Sequence, residues 1–295
     1  MTEPEDAAAD VRHSESETGE PDRTDQVAAG TAGDVDLGYQ LFDCADGDSE
    51  TIAAAVDAAG SAIERGECIV MPTDTVYGIA ADAFSPAAVQ RLLDAKVRGR
   101  DMPPPVLIGE PSLIRALAVE IPQQAKDLVK EHWPGPLTVI CRMQPSLRMD
   151  LGDTEGTIAL RVPDHALARR ILRRTGPIAV SSANISGLPP AVSCEQALEQ
   201  LGANVAVYID AGPMGGADAM PSTIVDFTQY AGGEILRPGA LSIEVIRQTL
   251  PDVIDLAAPP PGDQDADGGS GAGTLPQDPD SSAEAADLDE TGTGG

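Results

Sequence analysis

Two short runs concentrate hydroxyl, amide and carboxylate groups where apolar strands should end in turns: Met71-Pro72-Thr73-Asp74-Thr75-Val76-Tyr77-Gly78 and Ala179-Val180-Ser181-Ser182-Ala183-Asn184-Ile185-Ser186-Gly187. Polar side chains inside an apolar sheet are costly unless paired, so each run implies a self-satisfied network or a place for a polar ligand. The first run offers two hydroxyls, a carboxylate and a phenol at the end of a strand, where open sheets commonly bind ligands. Asp and Thr also cap turns, which is the plainer explanation of that stretch. In the second run, the serines, Asn184 and the N–H groups of the turn suit phosphate or carboxylate oxygens. Ser182 as a hydrolytic nucleophile has no elbow motif and no evident third member, with His165 the nearest base in sequence. His13, His132 and His165 share no metal-ligand spacing.

Cations are clustered as well. Lys96-Val97-Arg98-Gly99-Arg100 precedes the stiff segment Met102-Pro103-Pro104-Pro105, and three cations in five residues suit a polyphosphate. A solvated helix end explains the same cluster about as well. Arg161 alternates with Leu160 and Val162, so it points to one face of a strand and needs an anionic partner there, a small substrate or an internal residue such as Asp74. The familiar nucleotide loops are missing, with no G-x-x-x-x-G-K-[ST] and no strand-borne G-x-G-x-x-G. H-E-x-x-H, G-x-S-x-G and the EF-hand pattern are missing too.

The elements that must hold these groups follow from periodicity. Helical spacing predicts helices over 51–65, 86–95, 111–118, 122–132, 166–175, 194–201 and 242–250. Short apolar runs predict strands at 39–42, 68–71, 106–108, 137–140, 157–162, 178–180, 205–209, 222–227 and 234–236. Strands and helices intermix without strict alternation, which favours an α/β fold with a twisted mixed parallel and antiparallel sheet and outer helices.

Composition divides the 295 residues into three parts. Residues 1–38 carry 11 Asp/Glu against Arg12 and Arg23, and 257–295 carry 9 Asp/Glu with no Lys or Arg. Both are poor in large apolar side chains and read as disordered acidic tails around a folded unit at 39–256. The middle holds 28 Asp/Glu and 17 Lys/Arg, so the tails supply most of the formal charge of −29. Such a chain repels phosphate backbones at long range, which argues against tight independent binding of nucleic acid, although a local basic cluster could still hold a nucleotide. Cys44, Cys68, Cys141 and Cys194 form no C-x-x-C, and no apolar signal core or membrane-length run occurs, so a reducing cytoplasm without membrane attachment is expected.

Seven segments, 72–78, 96–103, 133–138, 160–165, 182–187, 221–226 and 236–239, together resemble the YrdC-type L-threonylcarbamoyladenylate synthases, in the right order and over nearly all of 39–256. The resemblance implies a YrdC-like domain with a concave, positively lined cavity. It would join L-threonine, bicarbonate and ATP into threonylcarbamoyl-AMP and pyrophosphate with Mg²⁺, for N6-threonylcarbamoyladenosine at position 37 of tRNAs reading ANN codons. A separate TsaD-type transferase would move the group to tRNA, with weak or no direct tRNA binding by this chain, in agreement with its acidic charge. By motif position, Thr73, Thr75, Tyr77, Arg161, Ser182 and Thr223 would form the threonine end, and Lys96, Arg98, Met102, Thr157, Asn184, Ser193 and Arg237 the ATP end. Lys96, Arg98 and Arg161 would carry the chemistry, and the motifs assign no direct metal ligand. The basic cluster departs from the common K-x-R-P, which leaves Arg98 and Arg100 both open as the nucleotide contact. Leu107 stands where some members have His. With a low-complexity tail and no second globular domain after 256, the chain resembles the single-domain version. A non-catalytic RNA-binding or regulatory relative is the alternative, disfavoured because both ends of the cavity keep their residues. A hydrogenase-maturation carbamoyltransferase module would need zinc-finger cysteines that are not here.

Overall fold

Among the described residues, 38–215 and 219–257 of a computed structural model, seven helices and twelve strands alternate irregularly. The expected acidic tails lie outside the described residues but for Gly38 and Ala257. The first half runs β1 (Gln40–Asp43), α1 (Ser49–Glu64), β2 (Ile69–Met71), β3 (Gly78–Asp82), α2 (Pro86–Ala95) and β4 (Val106–Leu107). A 3₁₀ turn (Pro111–Leu113), α3 (Ile114–Leu117), β5 (Ala118–Val119) and α4 (Gln123–His132) follow. Next come β6 (Leu137–Met143), β7 (Thr157–Arg161), α5 (Ala166–Thr175), β8 (Ile178–Ser182) and α6 (Cys194–Leu201). A second 3₁₀ turn (Gly202–Asn204), β9 (Val207–Asp210), β10 (Thr223–Asp226), β11 (Glu234–Arg237), α7 (Ile243–Thr249) and β12 (Ile254–Asp255) complete the chain.

Caps set the helix starts. The side chain of Asp48 accepts from Thr51 N–H before α1, Ser85 from Ala88 before α2, Ser193 from Gln196 before α6 and Ser242 from Val245 before α7. The end of α2 is less ordinary. Arg98 N–H bonds Leu93 C=O at 2.9 Å and Val97 N–H bonds Asp94 C=O at 3.0 Å, a Schellman closure whose left-handed position is usually glycine. Here it is Val97, with φ 51° and 75 % exposure. A β-branched residue in this region is strained by roughly 1–2 kcal/mol, against which glycine loses part of its advantage to chain entropy. Val97→Gly is therefore expected to raise the melting temperature by about 2–4 °C in a thermal scan. A fall would show that Val97 is unstrained.

The strands form one sheet in the order β1-β9-β2-β3-β8-β4-β7-β6-β10-β11-β12, with β5 on β6. Parallel pairs (β1 with β9, β9 with β2, β4 with β7, β6 with β10, β11 with β12) mix with antiparallel ones (β2 with β3, β3 with β8, β8 with β4, β7 with β6, β10 with β11). This is the expected mixed sheet. One expectation needs correction and one strand was not expected. The helix expected over 111–118 breaks up: the Leu117 carbonyl accepts Gln144 N–H, and Ala118 pairs with Met143, so a free β6 edge captures the end of a helix too short to hold itself. Gly78–Asp82, for which no element was expected, is β3. Its Gly and Ala residues have little strand propensity, but they fit tightly between β2 and β8, where a Cβ on Gly78 would meet Val180 Cγ1 at 2.6 Å.

Helices cover the two faces unequally. On one face, Ala55, Ala59 and Ile63 of α1 and Leu167, Ile171 and Leu172 of α5 pack on Ile69, Met71, Ile178 and Val180 of the sheet. On the other, Leu92, Leu93, Leu128 and Val129 join Leu137, Val139, Cys141, Leu160 and Val225 in the larger core. Each such Ile or Leu stabilises the fold by about 1.5–3 kcal/mol relative to its exposed state. The β7-β6-β10-β11 end of the first face lacks a helix, and a cavity forms there.

Candidate active site

The cavity is about 400 Å³, of small-ligand size. Its floor follows from strand alternation. Thr138 and Ile140 of β6, Thr157, Ala159 and Arg161 of β7, and Ile224 of β10 face it, while Leu137, Val139, Cys141, Leu160 and Val225 between them face the core. Register aligns Ile224 with Thr138 and Ala159 with Ile140. The walls come from Thr73, Thr75 to Gly78, Pro103 to Pro105 and Val180 to Ser182, with Leu107, Leu151, Thr154, Ser222 and Arg237.

Arg161 is buried and held on three sides. Nε donates to Gly135 C=O (3.1 Å), Nη1 to Thr75 Oγ1 (3.1 Å) and Nη2 to Asp74 Oδ1 (2.6 Å). Burial pulls its proton affinity down and Asp74 pulls it back up. Each terminal nitrogen has a second hydrogen and Arg161 lines the cavity, so the internal ion pair and a ligand-facing role are compatible. Gly135 follows the cis Trp133–Pro134 bond, and a Cβ there would press into the His132 carbonyl.

Arg98 enters from the α2 side, lines the cavity and donates to Ser181 Oγ (2.9 Å); its Nε is buried with no protein partner. Arg237 donates to the carbonyl and hydroxyl oxygens of Ser222, whose hydroxyl shares a 2.8 Å bond with Thr138. Burial, then Arg161 and Arg98, depress the proton affinity of Arg237. Three guanidinium groups thus face one space whose described lining contains no Asp or Glu. Arg100 turns away to Gln90 and an ion pair with Asp150, which places Arg98, not Arg100, on the cavity.

Other expected residues are elsewhere. Lys96 is off the wall, 1 % exposed: Nζ donates to the carbonyls of Ser182 (2.5 Å) and Asn184 (2.6 Å) and to Asn184 Oδ1 (3.4 Å), fastening the turn after β8. Asn184 is buried in the same turn, donating to the carbonyls of Ile185 and Leu188. The Tyr77 phenol donates to Asp210 and Gly212 C=O and accepts Ala211 N–H, so what Tyr77 brings to the wall is not its hydroxyl. Thr223 sits on the far side of β10, its hydroxyl exchanging bonds with the backbone of Leu241. Ser193 caps α6, and Met102 is exposed outside the lining. Thr73, Thr75, Thr157 and Ser182 are on the wall. Thr138 and Ser222 were missed; two-residue alternation along 222–226 already assigns Ser222 and Thr223 to opposite faces.

Burial, then Arg98, lower the Lys96 ammonium from 10.5 to about 8. Between those values the unfolded chain binds more protons than the folded one, so this group makes stability rise with pH across about 8 to 10.5. The stability of the wild type relative to Lys96→Ala is expected to grow between those limits in urea titrations. A constant difference would remove Lys96 as the source.

A bare sheet floor with three arginines and hydroxyls between them is the setting of a small-molecule site suited to anionic ligands. The Sua5/YciO/YrdC sequence model, described as "Telomere recombination", matches residues 61–239, and the chain belongs to this family. A Mycobacterium tuberculosis protein is 51% identical over 211 residues, 72% of this chain and 95% of its own. The threonylcarbamoyl-AMP synthase of Bacillus subtilis is 36% identical over 197 residues, 65% of this chain and 55% of its own. Pyrococcus abyssi Sua5 complexed with L-threonine superposes with a TM-score of 0.64 at 33% identity, over 70% of this chain and 59% of its own. Escherichia coli YciO, at 22% identity and a TM-score of 0.59, shares the fold. No helix among the described residues is long and apolar enough to cross a membrane.

Proposed function

We propose that the chain is a threonylcarbamoyl-AMP synthase, joining L-threonine, bicarbonate and ATP into threonylcarbamoyl-AMP with release of pyrophosphate and water. The observation that carries this reading is the cavity itself, with three inward-facing guanidinium groups, hydroxyls and no described carboxylate on the wall, a setting for an amino-acid carboxylate at one end and a triphosphate at the other. It is supported by the B. subtilis synthase and by the threonine complex of the P. abyssi relative.

In this reading Arg161 takes the threonine carboxylate with its two remaining N–H groups, a bidentate match. Thr73, Thr75 and Ser182 bound that end. Bicarbonate condenses with the amino group, and a carbamate oxygen attacks the α-phosphorus as the bond to pyrophosphate breaks. Arg98 and Arg237 then stabilise the charge that grows on the leaving group, which the dry, preorganised wall makes effective. No cluster of three or more His, Cys, Asp or Glu able to hold a metal is found among the described residues, and the described wall has no carboxylate. The residues therefore do not make a resident metal site, and Mg²⁺ enters as part of the nucleotide substrate. Residues 39–256 are the catalytic unit. The product is a reactive mixed anhydride, for which a separate TsaD-type transferase acting on tRNA is the consumer, in a cytoplasmic setting.

The test is pyrophosphate release with Mg²⁺-ATP, with and without L-threonine and bicarbonate, and with serine as control. Release that needs both co-substrates is expected. Nucleotide binding without release would favour a non-catalytic, regulatory relative.

A further inference from the structure

The Thr73–Val76 turn does not use Asp74 as its cap. Thr73 Oγ1 accepts the N–H groups of Thr75 (3.2 Å) and Val76 (3.3 Å) and donates to Val76 C=O (2.6 Å), so that turn is closed without a carboxylate. Asp74 is nevertheless nearly buried, its side chain 12% exposed, and it stands off the cavity wall. Oδ1 accepts from Arg161 Nη2 at 2.6 Å, while Oδ2 is buried without a hydrogen-bond partner. A carboxylate so placed is expensive to keep unless it does something through its one partner.

We infer that Asp74 is a positioning residue for recognition of the amino-acid carboxylate, acting through Arg161. This rests on the reading of L-threonine as a substrate. With Nε tied to Gly135 C=O and Nη1 to Thr75, Asp74 fixes the third corner of the guanidinium. The plane cannot rotate, and the remaining N–H of each terminal nitrogen is presented as a fork. Without Asp74 the group has two neutral anchors at Nε and Nη1, and Nη2 is free to swing with the plane. Arg161 also stands close enough to Arg237 for the two charges to interact.

The sign of the effect separates positioning from charge balance. If Asp74 merely neutralised Arg161, its removal would leave the cavity more positive and tighten both anionic substrates. Positioning demands the reverse for threonine alone. In Asp74→Ala the KM for L-threonine is expected to rise roughly ten- to hundredfold, as for loss of one charge-assisted hydrogen bond, with the KM for ATP within about twofold. Asp74→Asn keeps an acceptor oxygen for Nη2 and should restore most of the threonine KM. In an Arg161→Ala background, Asp74→Ala should raise the threonine KM no further, because the route through Arg161 is gone and only the unpaired carboxylate is relieved.

An unchanged or lower threonine KM in Asp74→Ala overturns the inference, as does an equal rise for both substrates. Should Asp74→Ala not fold, Asp74→Glu serves: it keeps the charge and displaces it by one methylene, and a threonine-specific rise is again required. Calorimetric titration of the wild type with L-threonine separates the two levels. Wild type that binds no threonine defeats the functional reading and this inference with it. Wild type that binds threonine as tightly as Asp74→Ala does defeats only the inference.

Discussion

Arg161→Ala is expected to lower kcat/KM for L-threonine by roughly 10²–10⁴-fold, the scale of losing one member of a buried, hydrogen-bonded charge pair at about 3–5 kcal/mol. Two losses combine. The substrate carboxylate loses its fork, and Asp74 is left as a buried carboxylate facing no cation. Arg161→Lys should recover little, because an ammonium cannot serve Gly135, Thr75, Asp74 and a carboxylate in one plane. Steady-state pyrophosphate release over a threonine series measures this. Near-native kcat/KM in Arg161→Ala would remove Arg161 from the site.

Lys96→Ala is expected to act first on stability. An ammonium of 1 % exposure with three oxygen acceptors and no carboxylate partner is a fastener for the 182–184 turn. Its removal leaves a cavity and the buried Asn184 carbonyl without its donor, while the Ser182 carbonyl keeps only Asn184 N–H, about 2–4 kcal/mol together. For a domain of this size that is a melting temperature lower by roughly 5–15 °C. Activity should fall as well, because the loosened turn adjoins Ser181 and Ser182, and Ser181 anchors Arg98. A variant with unchanged denaturant midpoint but no turnover would instead put Lys96 in direct contact with substrate.

Both predictions turn on what the sequence makes legible. Helices over 86–95, 166–175 and 194–201 were readable to the residue because apolar spacing coincides with proline, serine or glycine stop signals. The strand Gly78–Asp82 was not, since only Ile79 in Gly-Ile-Ala-Ala-Asp favours extension; tight neighbours on both sides impose it. At the site, the arginines were recognisable as cations in need of anions, yet which one turns inward depends on a capped helix end. The Schellman closure at Val97 sends Lys96 beneath the 182–184 turn and Arg98 into the cavity, an outcome no residue type announces. Tyr77 and Thr223 carry hydroxyls that long-range partners at 210–212 and 241 consume. Those partners are 133 and 18 residues away, out of reach of local pattern.

The uncovered end of the sheet has a consequence for how such a site can change. Because its floor is strand and not loop, adjacent residues answer to different demands: Thr138, Ile140, Ala159 and Ile224 to whatever is bound, Leu137, Val139, Leu160 and Val225 to the interior. Every second position is thus free to vary its chemistry without disturbing the neighbour that keeps the domain folded. The surface works like a keyboard, in which single keys can be retuned one at a time while the frame beneath them stays in place.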